Sequence, residues 1–471
     1  MALWNVTNTF AAQSGAVPAS QLDTNFQNLS ITPQYATAVS GSNVIAITVP
    51  LSFAGYADGM VFNFVAAGTN TISTPSLNVN GVGALTIVKE NNLALAPGDL
   101  TINGAYSVYC DGSNFHLMNP SVANLSTQNK IINPGMVIDQ RSVGTGYSNP
   151  ANGDYTLDRW VVQYSGVANP FSQAQSTSKP SGNYSYSLLT TVVTQDNAIA
   201  AGDFYGFGTR IEGYDAVDLI ETTFTLGFWV LSSIVGTFCV SFRNSASTSS
   251  YVAVYTINNA STWEYKTITV SGGLVSSGTW LRDNQIGVRV FWALAAGSTY
   301  QTTGNVWAVG NYLATSAQTN WMATAGNTFR ITGVQLSVGT VLPAWVSRPY
   351  EQELALCQRY YQKSFGQAVV PAQNAGNTGG AFSFPQVVGA ASTQRAMRAV
   401  FPVTMRATPT TVTTYNPSAA NAEMRNATTN TDCSSTSVGF GDSGISVSTV
   451  TPAGSSAGDL LRVHWTAEAE L

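Results

Sequence analysis

Residues 327–362, NTFRITGVQLSVGTVLPAWVSRPYEQELALCQRYYQ, change their periodicity halfway, and that change divides the chain. Phe329 and Ile331 alternate with polar neighbours, the pattern of a half-buried strand. A turn bearing Gly339, and then Trp345, lead to Ser347-Arg348-Pro349, where the period shifts. Beyond it Tyr350, Leu354, Cys357 and Tyr361 recur at i, i+4, i+7 and i+11, one face of a helix. Pro349 suits a first helical position, and Glu351 and Glu353 stand where the positive end of the helix dipole favours carboxylates. The stretch reads as the last strand of a β domain that hands over, through a connecting helix at 349–363, to whatever follows.

A chain of 471 residues predicts about two to four domains. Only 9% of the residues are charged, far below the roughly 25% of ordinary soluble domains, while Gly alone contributes 42. Solubility then rests on hydroxyls and amides. Gly and Asn serve turns, and Thr and Val serve strands, as in an extracellular or virion β protein; a secreted β-rich enzyme shares this composition. The formal net charge of −5 and the 19 Lys and Arg argue against a phosphate-binding groove, so nucleic acid is not an expected partner. Cys110, Cys239, Cys357 and Cys433 are far apart and match no CxxC metal spacing. They read most simply as buried free thiols, with a disulfide left open. Met1 to Phe10 lacks a basic region before an apolar run, and no stretch approaches 18 continuous apolar residues. Neither a secretion signal nor membrane insertion is therefore expected, and lysis inside an assembled particle is the route out of the cell that this leaves.

In chain order, residues 1–32 hold one short helix after Pro18, with Leu22, Phe26 and Leu29 at i, i+4 and i+7. It is too short to stand alone and needs a partner, either another protein or the next domain. Residues 33–120 read as a small β domain, with strands at 44–49, 60–64, 77–80 and 85–88 and a hairpin turning at Cys110-Asp111-Gly112-Ser113. A sheet of this size is marginal alone, which favours packing against other subunits. After a polar linker, residues 130–348 present strands at 185–193, 203–212, 222–232, 236–243, 252–257, 265–270, 285–292 and 328–336. Eight such segments separated by Gly, Ser and Asn turns match a double-sheet jelly roll. Residues 364–471 hold six short strands. The expected fold is all-β and multidomain: a small N-terminal β domain, a central jelly-roll sandwich, a short helix and a small C-terminal β-sandwich.

Several motifs carry a resemblance. They are PASQLDTNF (18–26), NPGMVIDQR (133–141), YTLDRW (155–160), CQRYYQKS (357–364), FPVTMRATPT (401–410) and the terminal WTAEAEL (465–471). Together with the spacing of the 33–120 region, this order resembles bacteriophage and prophage tail-fibre or adsorption proteins with a jelly-roll domain similar to carbohydrate-binding modules. The resemblance implies a virion location in the phage tail and attachment to other tail proteins through the N-terminal region, with Leu22, Phe26 and Leu29 as attachment candidates. It further implies a homotrimer whose partner is host cell-surface polysaccharide. Cys110 stands where the family pattern leads one to expect an aromatic.

A sugar-binding face needs flat apolar rings for the C–H face of the sugar and amides or carboxylates for its hydroxyls. Trp229 and Trp292 lie in strongly apolar strands and are expected in the core. Trp307, Tyr312 and Trp321 lie in an irregular Gly/Asn/Ser-bearing region and are the carbohydrate-binding candidates. The series Glu212, Asp215, Asp218, Glu221 reads first as a solvated turn, with a structural calcium site as the alternative. His116 and His464 lack ligand partners at metal spacing and read as strand residues. Arg395, Arg398 and Arg406 could meet acidic polysaccharide or form ordinary pairs. No nucleophile motif, metal set or cofactor loop stands out, so a non-enzymatic glycan-recognising fibre is expected. The alternatives are a passive virion connector or capsid-attached fibre, and a tail-borne depolymerase or esterase with convergent catalytic groups.

Overall fold

The computed structural model describes residues 33–50, 52–89, 92–95, 97–118, 129–274, 278–376, 380–387, 392–395 and 398–471. The expected attachment segment with Leu22, Phe26 and Leu29 lies outside them. The chain divides into two compact units, 1–127 and 128–471.

In the first unit, eight strands form one mixed sheet in the order β1-β4-β7-β8-β6-β5-β3-β2. They are β1 (Gln34–Tyr35), β2 (Ala38–Ser40), β3 (Val44–Thr48), β4 (Val61–Val65), β5 (Ser76–Val79), β6 (Ala84–Val88), β7 (Ala105–Cys110) and β8 (Phe115–Leu117). Ile45 and Ile47, Phe62 and Phe64, and Leu77 and Val79 are the inward members of alternating pairs. Asp111 closes the last hairpin by accepting from the Ser113 and Asn114 amides, while its other oxygen meets His116 Nε2 at 2.8 Å. His116 is thus a strand residue with a turn partner.

The second unit begins with a two-sheet jelly roll built from β9 (Tyr155–Leu157), β10 (Trp160–Ser165), β11 (Phe171–Ser176), β12 (Ser187–Val192), β13 (Phe204–Glu212) and β14 (Phe224–Ser232). It continues with β15 (Gly236–Arg243), β16 (Ser249–Ile257), β17 (Glu264–Val270), β18 (Ile286–Ala296), β19 (Trp307–Val309) and β20 (Thr328–Val338). One sheet runs β19-β16-β15-β18-β13-β10-β9 and the other β11-β12-β20-β14-β17. The inner faces meet in one core: Val288, Val290 and Trp292 from β18 oppose Phe224, Leu226 and Phe228 from β14. A second, smaller cluster lies on the outer side of the seven-stranded sheet, where Leu313 and Ala314 cover Cys239, Phe291 and Ala293.

Helix α1 (Tyr350–Gln358) follows, shorter than the expected 349–363. Its buried positions are Glu353 and Cys357, followed by Tyr360, whereas Tyr350 is exposed. Tyr361 does not continue the helix: residues 361–363 form strand β21, hydrogen-bonded to the last strand with Tyr361 opposite Glu468. The i+11 spacing of Tyr361 was coincidental, because the sheet claims its backbone.

The remaining strands are β21 (Tyr361–Lys363), β22 (Phe382–Pro385), β23 (Thr393–Arg395), β24 (Ala399–Val400), β25 (Thr411–Tyr415), β26 (Arg425–Asn426), β27 (Thr431–Asp432), β28 (Ser434–Gly441), β29 (Gly444–Val450) and β30 (Leu460–Glu468). β30 is the organiser, pairing with β21, β22, β25 and β26. Phe384, Phe401, Met424, Ile445, Val463 and Trp465 fill the core of this smaller sandwich. His464 is buried against the Phe365 ring, 4.1 Å away, with Ser364 Oγ at 3.0 Å from Nδ1. All four cysteines are buried free thiols. The architecture is all-β and multidomain, with α1 the one helix longer than a single turn among the described residues.

Candidate functional site

Among the described residues, the motifs at 133–141, 155–160, 357–364, 401–410 and 465–471 converge on one buried place, where the small sandwich meets the jelly roll. Arg359, the helix C-cap, donates to both oxygens of Glu212 at 2.9 and 2.6 Å, and the Tyr360 hydroxyl donates to the same carboxylate at 2.7 Å. Glu470 bridges Arg141 and Arg159. The ring of Tyr361 lies under Arg141 and the ring of Tyr360 under Arg159, at 3.9 and 3.6 Å from ring centre to guanidinium carbon. Gln140 donates to Asp158, and Arg406 holds the main-chain oxygens of Ala469 and Glu470. Burial pushes the Asp158 carboxyl upward, against the opposing pull of Arg141.

This is a clasp between domains. Glu212 and Glu470 are each saturated by cationic partners, so neither presents a free face to a substrate. The expected solvated turn at 212–221 holds for Asp215, Asp218 and Glu221, which are exposed, and is corrected at Glu212. Glu212 is buried and paired, residues 213–219 wind into two short helical turns, and Asp218 meets Lys130 at 2.6 Å. With Glu212 and Asp218 engaged by cations, the series is not arranged as a calcium cage. Arg406 likewise belongs to the clasp and faces no solvent ligand.

The three aromatics singled out from sequence are not brought together. Trp321 is fully buried, its ring edge-on to Phe329 and its Nε1–H directed at Thr328 O, 3.3 Å away. It is a core residue, which corrects its assignment as a sugar contact: a large ring was needed to anchor the 297–327 segment. Trp307 is half-buried opposite Tyr251 and edge-on to Trp280 at 5.5 Å, at the margin of the main core. Tyr312 packs on the separate outer cluster, as Val254 and Tyr300 also do.

A continuous row of rings lies instead on the outer face of the five-stranded sheet. On β14, Phe224, Leu226, Phe228 and Val230 point inward, so Thr225, Gly227 and Trp229 point outward. Trp229 stands opposite Tyr265 on β17, ring centres 5.3 Å apart, and both join a chain through Tyr184 to Trp345 with spacings of 6.3 and 5.2 Å. Trp229 Nε1–H donates to the Tyr184 hydroxyl at 2.9 Å, and Trp345 Nε1–H to Asn183 O at 3.1 Å. Tyr265 is 40% exposed and its phenol is pushed up to about 12 by partial burial, so it stays neutral at working pH.

Two glycines make room for this row. Gly333 has φ +61°, and a Cβ there would meet the Tyr184 ring at 2.6 Å. At Gly227 a Cβ would strike Leu342 and the Tyr265 hydroxyl. Exposed Thr267 and Thr269 continue the same face of β17, and Gln335 holds the overlying segment through Pro343 O at 3.2 Å. Flat rings flanked by hydroxyls have the chemistry that a sugar face requires. The sequence signal was the alternation of FTLGFWVL itself, in which Trp229 is out of phase with Phe228 and Val230.

Neither a family model nor a curated protein matches the sequence. Solved structures match part of it. The enzymatically active domain of tailspike protein 4 of bacteriophage CBA120 is 11% identical with a TM-score of 0.25, over 45% of this chain and 21% of that one. This chain thus spans about a fifth of the tailspike domain's length. A family 61 carbohydrate-binding module in complex with β-1,4-galactotriose is 12% identical with a TM-score of 0.23, over 45% of this chain and 99% of that one. A family 11 module from Clostridium thermocellum, in complex with a mixed-linked tetrasaccharide, is 13% identical with a TM-score of 0.22, over 42% of this chain and 98% of that one.

Proposed function

We propose that this chain is a phage tail-fibre protein that recognises host-surface glycan and does not cleave it. The observation that carries the reading is the half-exposed row Tyr265, Trp229, Tyr184 and Trp345 on the outer face of the five-stranded sheet. Apolar C–H faces of sugars stack on such rings, while neighbouring threonines and the Asn183 loop serve their hydroxyls. Each contact is weak, and several copies in one fibre multiply them.

The virion setting, the homotrimer and attachment through residues 1–32 rest on the motif resemblance. The clasp supports a mechanical role for those motifs, since they bond the two sandwiches of the second unit into one body that transmits load from a bound surface. The test is binding of the purified full chain to extracted bacterial surface polysaccharides, with the glycan recovered and sized afterwards. Saturable binding with unshortened glycan is expected. Shortened glycan would establish a depolymerase, and absence of binding by the intact oligomer would leave a connector.

A further inference from the structure

The five strands of the sheet that carries the ring row hold three charged residues: Arg330 on β20, and Glu264 and Lys266 on β17. Glu264 and Lys266 pair with each other at 2.5 Å, which leaves Arg330. Its neighbours in sequence, Phe329 and Ile331, both point into the main core, so Arg330 points out, to the side on which Trp229 stands. Register places the two close together. Trp229 faces Thr332 across the β14–β20 pair and Leu231 faces Arg330, so Arg330 is the diagonal neighbour of Trp229. Diagonal partners lie about 7–8 Å apart, within reach of a long side chain. Leu231 and Leu189 flank Arg330 in register, apolar neighbours that suit its methylene stem and leave the charged head to reach for water.

The guanidinium is open and unmatched. Arg330 is partly exposed, and no carboxylate among the described residues lies in ion-pair range of it. Its one hydrogen bond among them is long, from Nη1 to Thr328 Oγ1 at 3.4 Å. Nε is enclosed, whereas Nη2 is neither enclosed nor bonded and faces solvent. Partial burial lowers the Arg330 pKa, with no neighbouring charge to oppose it. Arg141, Arg159 and Arg359 in the clasp are each matched by a carboxylate. A partly desolvated cation is costly to keep without such a partner, and this one is kept beside the ring row.

We propose that Arg330 reads a negative charge on the glycan that lies along the ring row, so that the ligand is an acidic saccharide whose carboxylate meets Nη2. The rings take the neutral C–H faces of successive sugars, and a carboxylate on the sugar stacked at Trp229 meets the guanidinium beside it. Charge-assisted hydrogen bonds of this kind are roughly twice as strong as neutral ones, and the threonines of the same face offer only neutral ones. This assignment rests on the ring row as the glycan surface and adds the charge of its ligand.

The test uses the full chain and the uronic-acid-bearing fraction of extracted bacterial surface polysaccharide, native and after reduction of its carboxyls to alcohols. Reduction removes the charge and keeps the sugar backbone. Wild type, Arg330→Gln, Arg330→Lys and Tyr265→Ala are titrated with both forms, and thermal melts show that each is folded. Wild type should bind the native form about tenfold or more tighter than the reduced form, as a charge-assisted hydrogen bond requires. That advantage should shrink as salt rises. Arg330→Gln should lose the advantage while binding the reduced form as wild type does, a coupling that a merely structural role would not produce. Arg330→Lys should regain part of it, and Tyr265→Ala should weaken both forms. Equal binding of the two forms by wild type, or an Arg330→Gln that weakens both alike, overturns the charge assignment and leaves the ring row standing. Binding of neither form, or a Tyr265→Ala unchanged on both, overturns the ring row, and the assignment falls with it.

Discussion

Arg159 sits over the ring of Tyr360, its guanidinium carbon 3.6 Å from the ring centre, although neither residue belongs to the sheet or helix that the other extends. The contact explains why Arg359-Tyr360-Tyr361 follow one another at the end of α1. Arg359 and the Tyr360 hydroxyl share Glu212, while the Tyr360 ring takes Arg159 and the Tyr361 ring takes Arg141.

Glu470→Gln should be strongly destabilising, because it leaves Arg141 and Arg159 buried without their shared carboxylate. Loss of one partner of a buried pair costs about 3–5 kcal/mol. Chemical denaturation of the full chain checks this, and a loss below about 1 kcal/mol would show that the clasp is not what holds the sandwiches together. Tyr360→Phe keeps the ring under Arg159 and removes the bond to Glu212, with an expected cost of about 1.5–3 kcal/mol.

The two aromatic classes should separate in one pair of variants. Trp321→Ala empties a core position and should cost about 3–5 kcal/mol. Tyr265→Ala removes a partly exposed ring and should change stability by no more than about 1 kcal/mol while weakening glycan binding. Thermal melts beside binding isotherms read both effects, and the reverse pattern would return Trp321 to the surface.

Gly333→Ala should disturb the ring row from below. It places a side chain at a positive φ and drives a methyl group into Tyr184, for a combined cost of about 1–3 kcal/mol. A changed tryptophan emission from Trp229 and Trp345 should accompany the loss. A wild-type spectrum and melt would mean that the glycine is not required there.

In the first unit, the hydrogen bond from His116, joined by the Asn114 and Ser113 amides, holds the Asp111 carboxyl down at about 2. Its folded pKa lies below the unfolded value of about 3.9. The stability it contributes is therefore present above about pH 4 and lost as pH falls through about 2. Asp111→Asn should flatten the acid limb of unfolding followed at this unit. An unchanged acid limb would show that the hairpin does not depend on this carboxylate.

Much of the fold was legible because strands announce themselves locally. The segment at 236–243 has the bounds read from alternation and turn residues alone. The end of α1 was not legible, since Tyr361 satisfies the helical period while its amide and carbonyl belong to β30. The clasp was hidden by distance: Arg159 and Glu470 lie 311 residues apart, and nothing local announces their pairing. Trp229 was misplaced for a different reason. An apolar run reads as wholly buried, and only strict attention to its phase separates the outward tryptophan from the inward Phe228.

The most direct measurement titrates the full chain with bacterial surface polysaccharide while following tryptophan emission, for wild type and Tyr265→Ala in parallel. A saturable change in the wild type that is weakened about tenfold in a folded Tyr265→Ala is the expected result, given that an aromatic contact contributes about 0.5–1.5 kcal/mol beyond the area it buries and that tenfold is about 1.4 kcal/mol. Equal binding by both proteins would place the glycan elsewhere and contradict the ring row as the recognition surface.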